Sequence, residues 1–215
     1  MAVAVGVSCR TASPTPHVTP PAGAVVPIVQ PGAPGQASRT VTAAQATDLS
    51  RIQFTAADVR FMQGMIGHHA QAIEMVELLS TRTARDDMRT LGQRISLSQD
   101  DEIKMMQRWL AVRRQEVPGI HAMHMHGATL MPGMLTPEEM ERLAAAKGAL
   151  FDRLFLEGMI KHHGGALTMV AELLSHAGAG QDSEIFAFLS DVDADQRAEI
   201  ARMGGMLQEM QKNDR

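Results

Sequence analysis

The sequence predicts an all-α protein: a four-helix bundle of ferritin-like type, built from two repeated helical hairpins and preceded by a disordered N-terminal tether. The main observation is an internal repeat, in which DVRFMQGMIGHH (58–69) matches DRLFLEGMIKHH (152–163). The segments 102–110 and 199–207 form a second matching pair, one after each copy. Each half is therefore a unit of two helices. At 215 residues and 45% hydrophobic content, the chain is long enough for one ordinary core.

Residues 1–9 are interpreted as the remnant of an export signal, because a short apolar run ends at Ser8-Cys9. Serine before the single cysteine resembles a bacterial lipoprotein processing site, which would put a lipid anchor on Cys9. An incidental or buried thiol is the alternative. The next segment, 10–50, is rich in Pro, Ala, Thr and Gly and is predicted to be a disordered linker. Residues 51–215 are assigned to the bundle.

A helical period runs through the repeat. Apolar and histidine side chains recur at intervals of three and four along one stripe, at Phe61, Met65, His68, Ala72, Met75 and Leu79. The strict alternation of a strand is absent. We expect four helices near 55–81, 85–116, 137–177 and 182–212.

Local signals mark two of the helix starts and one interruption. Thr55 with Asp58, and Thr136 with Glu139, have the spacing of capping boxes. Gly148 is expected to break the third helix, since glycine inside a helix costs about 1 kcal/mol relative to alanine.

Composition points to soft metal donors and away from nucleic acid. The chain holds 17 Met and 9 His but a single Cys, which favours thioether and imidazole ligands and excludes internal disulfides. A net charge of −4 provides no basic surface for phosphates. Thioethers also suit an exported protein, because thiols oxidise outside the cytoplasm.

The paired histidines fall on or beside the apolar stripe in both halves, with methionines on neighbouring turns. Structural histidines and methionine core filler are the ordinary explanation for such positions. Repetition of the pattern favours a metal site in the bundle instead. The candidate ligands there are Met62, Met65, His68, His69, Met75, Met159, His162, His163 and Met169. Further methionines are expected to add a second methionine surface, and they are Met105, Met106, Met203, Met206 and Met210. Of these, Met106, Met203 and Met206 are also candidate metal ligands.

The connection between the halves is the strongest local signal for a metal. Histidine and methionine alternate there in a polar, Gly/Pro-containing context where core packing explains little. Its candidate ligands are His121, Met123, His124, Met125, His126, Met131 and Met134. Thioethers favour Cu(I) or Ag(I), and imidazoles also accept Cu(II), so copper, with Cu(I) favoured, is the predicted ligand. The Cys/His sets of zinc sites and the carboxylate clusters of calcium sites do not appear.

The sequence resembles the domain-of-unknown-function family number 305, a ferritin-like helical family with periplasmic copper-binding members. The resemblance is carried by 61–69, by 155–163 with Gly165-Ala166, and by 131–136, and it covers roughly Thr55 to Met210. It implies copper binding and a role in metal tolerance. Leu156 stands where the repeat would place a partner of Met62, which predicts unequal metal occupancy of the two halves.

The expected function is an extracytoplasmic copper-binding protein for sequestration, buffering or tolerance, and not an enzyme. Its expected partners are the metal ion, a copper donor or acceptor protein, and a second copy of the chain through methionine faces. One alternative is a ferritin-like di-metal oxidase, which would need Glu-x-x-His on two helices, a motif that is absent. The other is a Met-rich helical interaction module without metal.

Overall fold

The computed structural model describes residues 27–30, 37–46, 54–119 and 130–213. The chain divides into two units, Met1–Leu49 and Ser50–Arg215, which are described separately.

In the first unit, a short hairpin and one helical turn occupy part of the predicted linker. Strand β1 (Ile28–Gln30) pairs antiparallel with β2 (Arg39–Val41), and α1 (Ala43–Ala46) follows. The expectation of a segment without regular structure therefore does not hold for these residues. The reason is the β-branched side chains on both strands, which favour extended, paired backbone. The predicted export signal and Cys9 lie outside the described residues.

The second unit is helical. Its elements are α2 (Ala56–Glu77), α3 (Leu79–Arg82), α4 (Asp86–Val112), α5 (Pro137–Ala145), α6 (Gly148–Leu174) and α7 (Ser183–Asn213). Helix α2 packs along α4, α6 packs along α7, and α2 meets α6. The all-α prediction and the two-hairpin organisation are confirmed. No helix within the described ranges is long and apolar enough to cross a bilayer.

The predicted first residues of the helices agree with the structure more closely than the predicted last residues do. Both capping boxes are formed, with the Thr55 and Thr136 side chains accepting hydrogen bonds from backbone N–H groups. The third predicted helix is interrupted before Gly148, where φ is 57°, as expected. The second ends at Val112 instead of 116, because the chain turns at Arg114 with a φ of 55°.

Methionines fill two core clusters, one at each end of the bundle, and the repeat relates them. One cluster contains Met62, Met65, Met106 and Met169. The other contains Met75, Met159, Met203, Met206 and Met210. The expected second methionine surface is therefore wrong for Met106, Met203, Met206 and Met210, which are all buried. Met106 lies on the inner face of α4, and the other three lie on the inner face of α7. Met203, Met206 and Met210 are spaced by three and four residues, which places them on one face of a helix, and this face is turned to the core.

The MPGM segment (131–134) lies against both α2 and α6. A Cβ on Gly165 would stand 1.9 Å from the Pro132 carbonyl oxygen, so the two backbones touch and glycine is required there. Gln71 on α2 fixes the other side, accepting from the Leu135 N–H at 2.8 Å and donating to its carbonyl at 2.9 Å. Met134 is buried. The expectation that packing explains little in this connection is wrong for Met131 and Met134, since both contact the bundle.

Candidate metal centre

Four buried histidines form a polar layer between the two methionine clusters. On α2, His68 and His69 follow Met65 of one cluster and precede Met75 of the other. The second copy on α6 repeats this order in the opposite direction along the bundle. All four side chains are at most 1% exposed.

The rings of the inner pair, His68 and His162, lie against each other with centroids 3.8 Å apart and planes tilted by 37°. Nε2 of His68 donates to the Pro132 carbonyl at 3.0 Å, and Nε2 of His162 donates to the His68 carbonyl at 2.9 Å. Burial, helped by the neighbouring histidines, lowers the pKa of His68 to about 3 and the pKa of His162 well below its ordinary value. Both imidazoles are therefore neutral at neutral pH.

The outer pair, His69 and His163, are each held by a carboxylate from the second helix of their own hairpin. Nε2 of His69 lies 2.5 Å from a Glu102 oxygen, and Nε2 of His163 lies 2.6 Å from a Glu199 oxygen. Glu102 and Glu199 are the first residues of the matching segments 102–110 and 199–207, and neither was predicted as a residue of the site. The repeat itself could have identified them, because both second helices carry a glutamate at this equivalent position.

The remaining ring nitrogen of these four histidines lacks a hydrogen-bond partner among the residues that the structure describes. Nδ1 of His68, His69, His162 and His163 is buried without a hydrogen bond within the described residues. Because the Nε2–H groups of the inner pair donate to carbonyls, their Nδ1 atoms carry a lone pair in the neutral ring. A ring that donates one N–H to a carbonyl or carboxylate and leaves its other nitrogen free has the arrangement typical of metal-binding histidine.

Two buried glutamines extend the polar layer and were missed from the sequence. Gln99 and Gln196 occupy equivalent positions, each three residues before the glutamate that holds a histidine. Both are nearly fully buried, and the Oε1 atom of each has no hydrogen-bond partner in the part of the chain that is described. Buried polar atoms are rarely left unpaired, so the unpartnered glutamine and histidine atoms together indicate a ligand-binding region.

On one side of the layer, an acidic groove of about 760 Å³ lies between α4 and α7. Glu102 and Glu199 line it together with Asp191 and Asp195. Burial raises the pKa of Asp195, and the charges of Glu102, Glu199 and Asp191 raise it further. Such a concentration of carboxylates produces a negative potential that attracts cations towards the histidine layer.

The structure brings together many of the predicted ligands and leaves others untested. The candidate methionine ligands that are buried in the two clusters around the layer are Met62, Met65, Met75, Met106, Met159, Met169, Met203 and Met206. His121, Met123, His124, Met125 and His126 lie outside the described residues. Within the described ranges, no three His, Cys, Asp or Glu side chains are placed to hold one ion. Thioethers would therefore have to complete any ligand set around the histidine layer.

A family model named Domain of unknown function (DUF305) matches residues 58–207. The chain belongs to the DUF305 family. Its match spans the repeat, the MPGM segment and both second helices. The predicted family membership is thus confirmed. A comparison with curated protein sequences found no match.

Solved structures of DUF305 proteins have the same fold. A DUF305 protein from Streptomyces coelicolor, described as secreted, is 27% identical, with a TM-score of 0.62 over 72% of this chain and 93% of that one. A DUF305 fragment from Deinococcus radiodurans is 27% identical, with a TM-score of 0.62 over 73% and 98%. CopM in its Cu(I)-bound form is 28% identical, with a TM-score of 0.56 over 73% and 98%. Other CopM structures are of Cu(II)-bound and silver-bound forms.

Proposed function

We propose that this protein binds copper, chiefly as Cu(I), in the histidine layer of its helical bundle, and serves in sequestration, buffering or tolerance of the metal outside the cytoplasm. The observation that carries the proposal is a set of four buried Nδ1 atoms that have no hydrogen-bond partner in the described part of the chain. Carbonyls or carboxylates fix the Nε2 atoms of the same rings. Atoms of this kind are costly to bury unpaired. Because no three of these side chains in the described residues are placed to hold one ion, a soft cation would take at most two of the nitrogens and complete its ligands with thioethers.

The ligands that surround the layer favour Cu(I) over harder ions. Neutral imidazole from the inner pair and thioether sulfur from the methionine clusters are soft or borderline donors. Met65 and Met159 lie one turn before His68 and His162 and are fully buried. Because these donors are neutral, binding Cu(I) places a single positive charge in the core, and the nearby Glu102 and Glu199 carboxylates offset it.

The similarity to CopM and to a secreted DUF305 protein supports both the metal and the location. CopM has been solved with Cu(I), Cu(II) and silver, which are the ions that the sequence predicts for this chain. In this proposal copper is cargo and the protein catalyses no reaction. A lipid anchor on Cys9 and a copper donor or acceptor protein belong to the same proposal.

The test is an anaerobic titration of the full chain with Cu(I) against a chromophoric chelator, beside the variant His68→Gln/His162→Gln. We expect tight Cu(I) binding in the parent protein and Cu(I) affinity at least about tenfold weaker in the variant. Loss of a residue that only hydrogen-bonds to a metal ligand already lowers metal affinity about 10–100-fold, and loss of the ligand itself should lower it at least as much. Circular dichroism verifies that the variant is folded. Should the folded variant bind Cu(I) as tightly as the parent, copper would be bound elsewhere and the histidine layer would be structural.

A further inference from the structure

A second cluster of soft donors lies at the protein surface, outside the histidine layer. An open pocket of about 260 Å³ is lined by α2, by the end of α6 and by the MPGM segment. Two thioethers, from Met131 and Met169, and one imidazole, from His176, line it. His176 was not among the ligands that the sequence predicted.

Both thioether side chains reach the same point, above Gly64 on α2. A Cβ placed on Gly64 would lie 3.0 Å from Sδ of Met131 and 3.7 Å from Cε of Met169. Glycine thus leaves the room that brings the two methionines together. Met131 is partly exposed and Met169 is buried beneath it, so solvent reaches this pair from the Met131 side.

The repeat supplies an internal comparison for this cavity. Gly158 is the equivalent of Gly64, and a Cβ there would lie 3.2 Å from Leu135 and 3.3 Å from Met75. A leucine therefore takes the place of Met131 in the second half. Because both residues fill similar space, packing alone explains a large apolar side chain at either position but not the sulfur at one of them.

His176 is held in the tautomer that a metal ligand needs. Its Nδ1–H donates to the Glu172 carbonyl at 2.8 Å, which leaves the lone pair of the neutral ring on Nε2. Arg60 and Glu172 also line the cavity, and their charges cancel. A lining without net charge, with two thioethers and an imidazole, suits a soft monovalent cation better than a divalent one.

We propose that Met131, Met169 and His176 form a surface site for a soft monovalent cation, Cu(I) or Ag(I). This site goes beyond the buried centre and uses a different histidine. It lies on the outer side of the MPGM segment, whose Pro132 carbonyl accepts the hydrogen bond of His68 on the inner side.

The experiment is a titration of the full chain with Ag(I) alone, followed by NMR of methionine ¹³C-methyl groups. Met131→Leu and Met169→Leu assign the two signals and keep the side-chain volume. We expect both methyl signals to move together at the same Ag(I) concentration. His176→Gln should weaken this response at least about tenfold, while Met140→Leu, a control on α5 outside the cavity, should leave it unchanged.

The outcomes separate this site from the proposed function. An unchanged Met131 signal, or an unchanged response in His176→Gln, would overturn the surface site. If the methyl signals of Met65 and Met159 still respond to Ag(I) in that case, the proposed metal binding in the histidine layer is supported and only the surface site is rejected. Conversely, a response at Met131 and Met169 with none at Met65 and Met159 would support the surface site and remove the buried centre.

Discussion

The two hairpins share one sequence pattern, yet their inner histidines are held differently. His162 donates its Nε2–H to a helix carbonyl, at His68. His68 donates to Pro132 in the MPGM segment, which occurs once in the chain. The outer histidines are held alike, each by a glutamate of its own hairpin. The repeat therefore builds the histidine layer, and the connection between the halves makes its two sides unequal.

The same inequality appears where the MPGM segment meets the bundle. Gln71 and Gly165 occupy equivalent positions in the two halves, and they contact this segment in opposite ways. Gln71 makes two hydrogen bonds to Leu135. Gly165 makes room for the Pro132 carbonyl by lacking a side chain. Different residues at equivalent positions of the two hairpins therefore hold the single MPGM segment in place beside the histidine layer.

The largest effect is expected when the close approach at Gly165 is blocked. Gly165→Ala places a Cβ against the Pro132 backbone, so we expect a loss of about 2–4 kcal/mol in the free energy of unfolding. Gly164→Ala is the matched control, because nothing lies within 4 Å of its Cβ position and helical Gly→Ala should stabilise by up to about 1 kcal/mol. Urea denaturation measures both. Equal stabilities would show that the MPGM segment does not depend on this contact.

The equivalence of the outer histidines is tested by Glu102→Gln and Glu199→Gln. Each change removes the carboxylate that holds a candidate metal-binding ring, and we expect Cu(I) affinity to fall about 10–100-fold in either variant. Chelator competition gives the affinities. A large effect in one variant and none in the other would break the proposed equivalence of the two halves.

Acid should destabilise the metal-free protein through the inner pair. The pKa of His68 is lowered to about 3 in the folded state, so below its unfolded value near 6.5 the unfolded chain binds the proton more strongly. Stability should therefore fall as the pH drops from about 6.5 towards 3, by up to about 1.4 kcal/mol per pH unit for each such histidine. Denaturation of the parent and of His68→Gln between pH 4.5 and 7 measures this slope, which should be shallower in the variant.

The smallest effect is expected where the repeat is imperfect. Met62 and Leu156 are equivalent and fully buried, and exchange between these residue types usually costs less than about 1.5 kcal/mol. Met62→Leu should therefore keep the fold and weaken Cu(I) binding if this thioether is a ligand, whereas Leu156→Met should leave binding equal or tighter. Weaker binding in Leu156→Met would contradict a donor role for this position.

Much of the fold could be predicted from the sequence because the repeat and the helical period act locally. The copies at 58–69 and 152–163 gave both hairpins, and the capping residues gave two helix starts. The family could also be predicted from the sequence, since its motifs contain the paired histidines.

The partners of those histidines could not be predicted, because they come from elements distant in sequence. Glu102 is 33 residues from His69, and Pro132 is 64 residues from His68. His176 could not be found from the sequence, since it stands alone after a helix and becomes a candidate ligand only because it lines the same cavity as Met131. The close contact between Gly133 and Gly165, next to the buried Met134, could not be predicted either, because a helical period carries no information about it.

The most direct test of the buried centre is long-range ¹H–¹⁵N NMR of the histidine side chains in the unmodified protein, before and after addition of Ag(I). In the metal-free protein, His68, His69, His162 and His163 should carry the proton on Nε2. Ag(I) should then shift their Nδ1 signals and leave the Nε2–H signals in place. If these four Nδ1 signals stay unchanged while other histidines respond, the buried layer binds no metal and its histidines are structural.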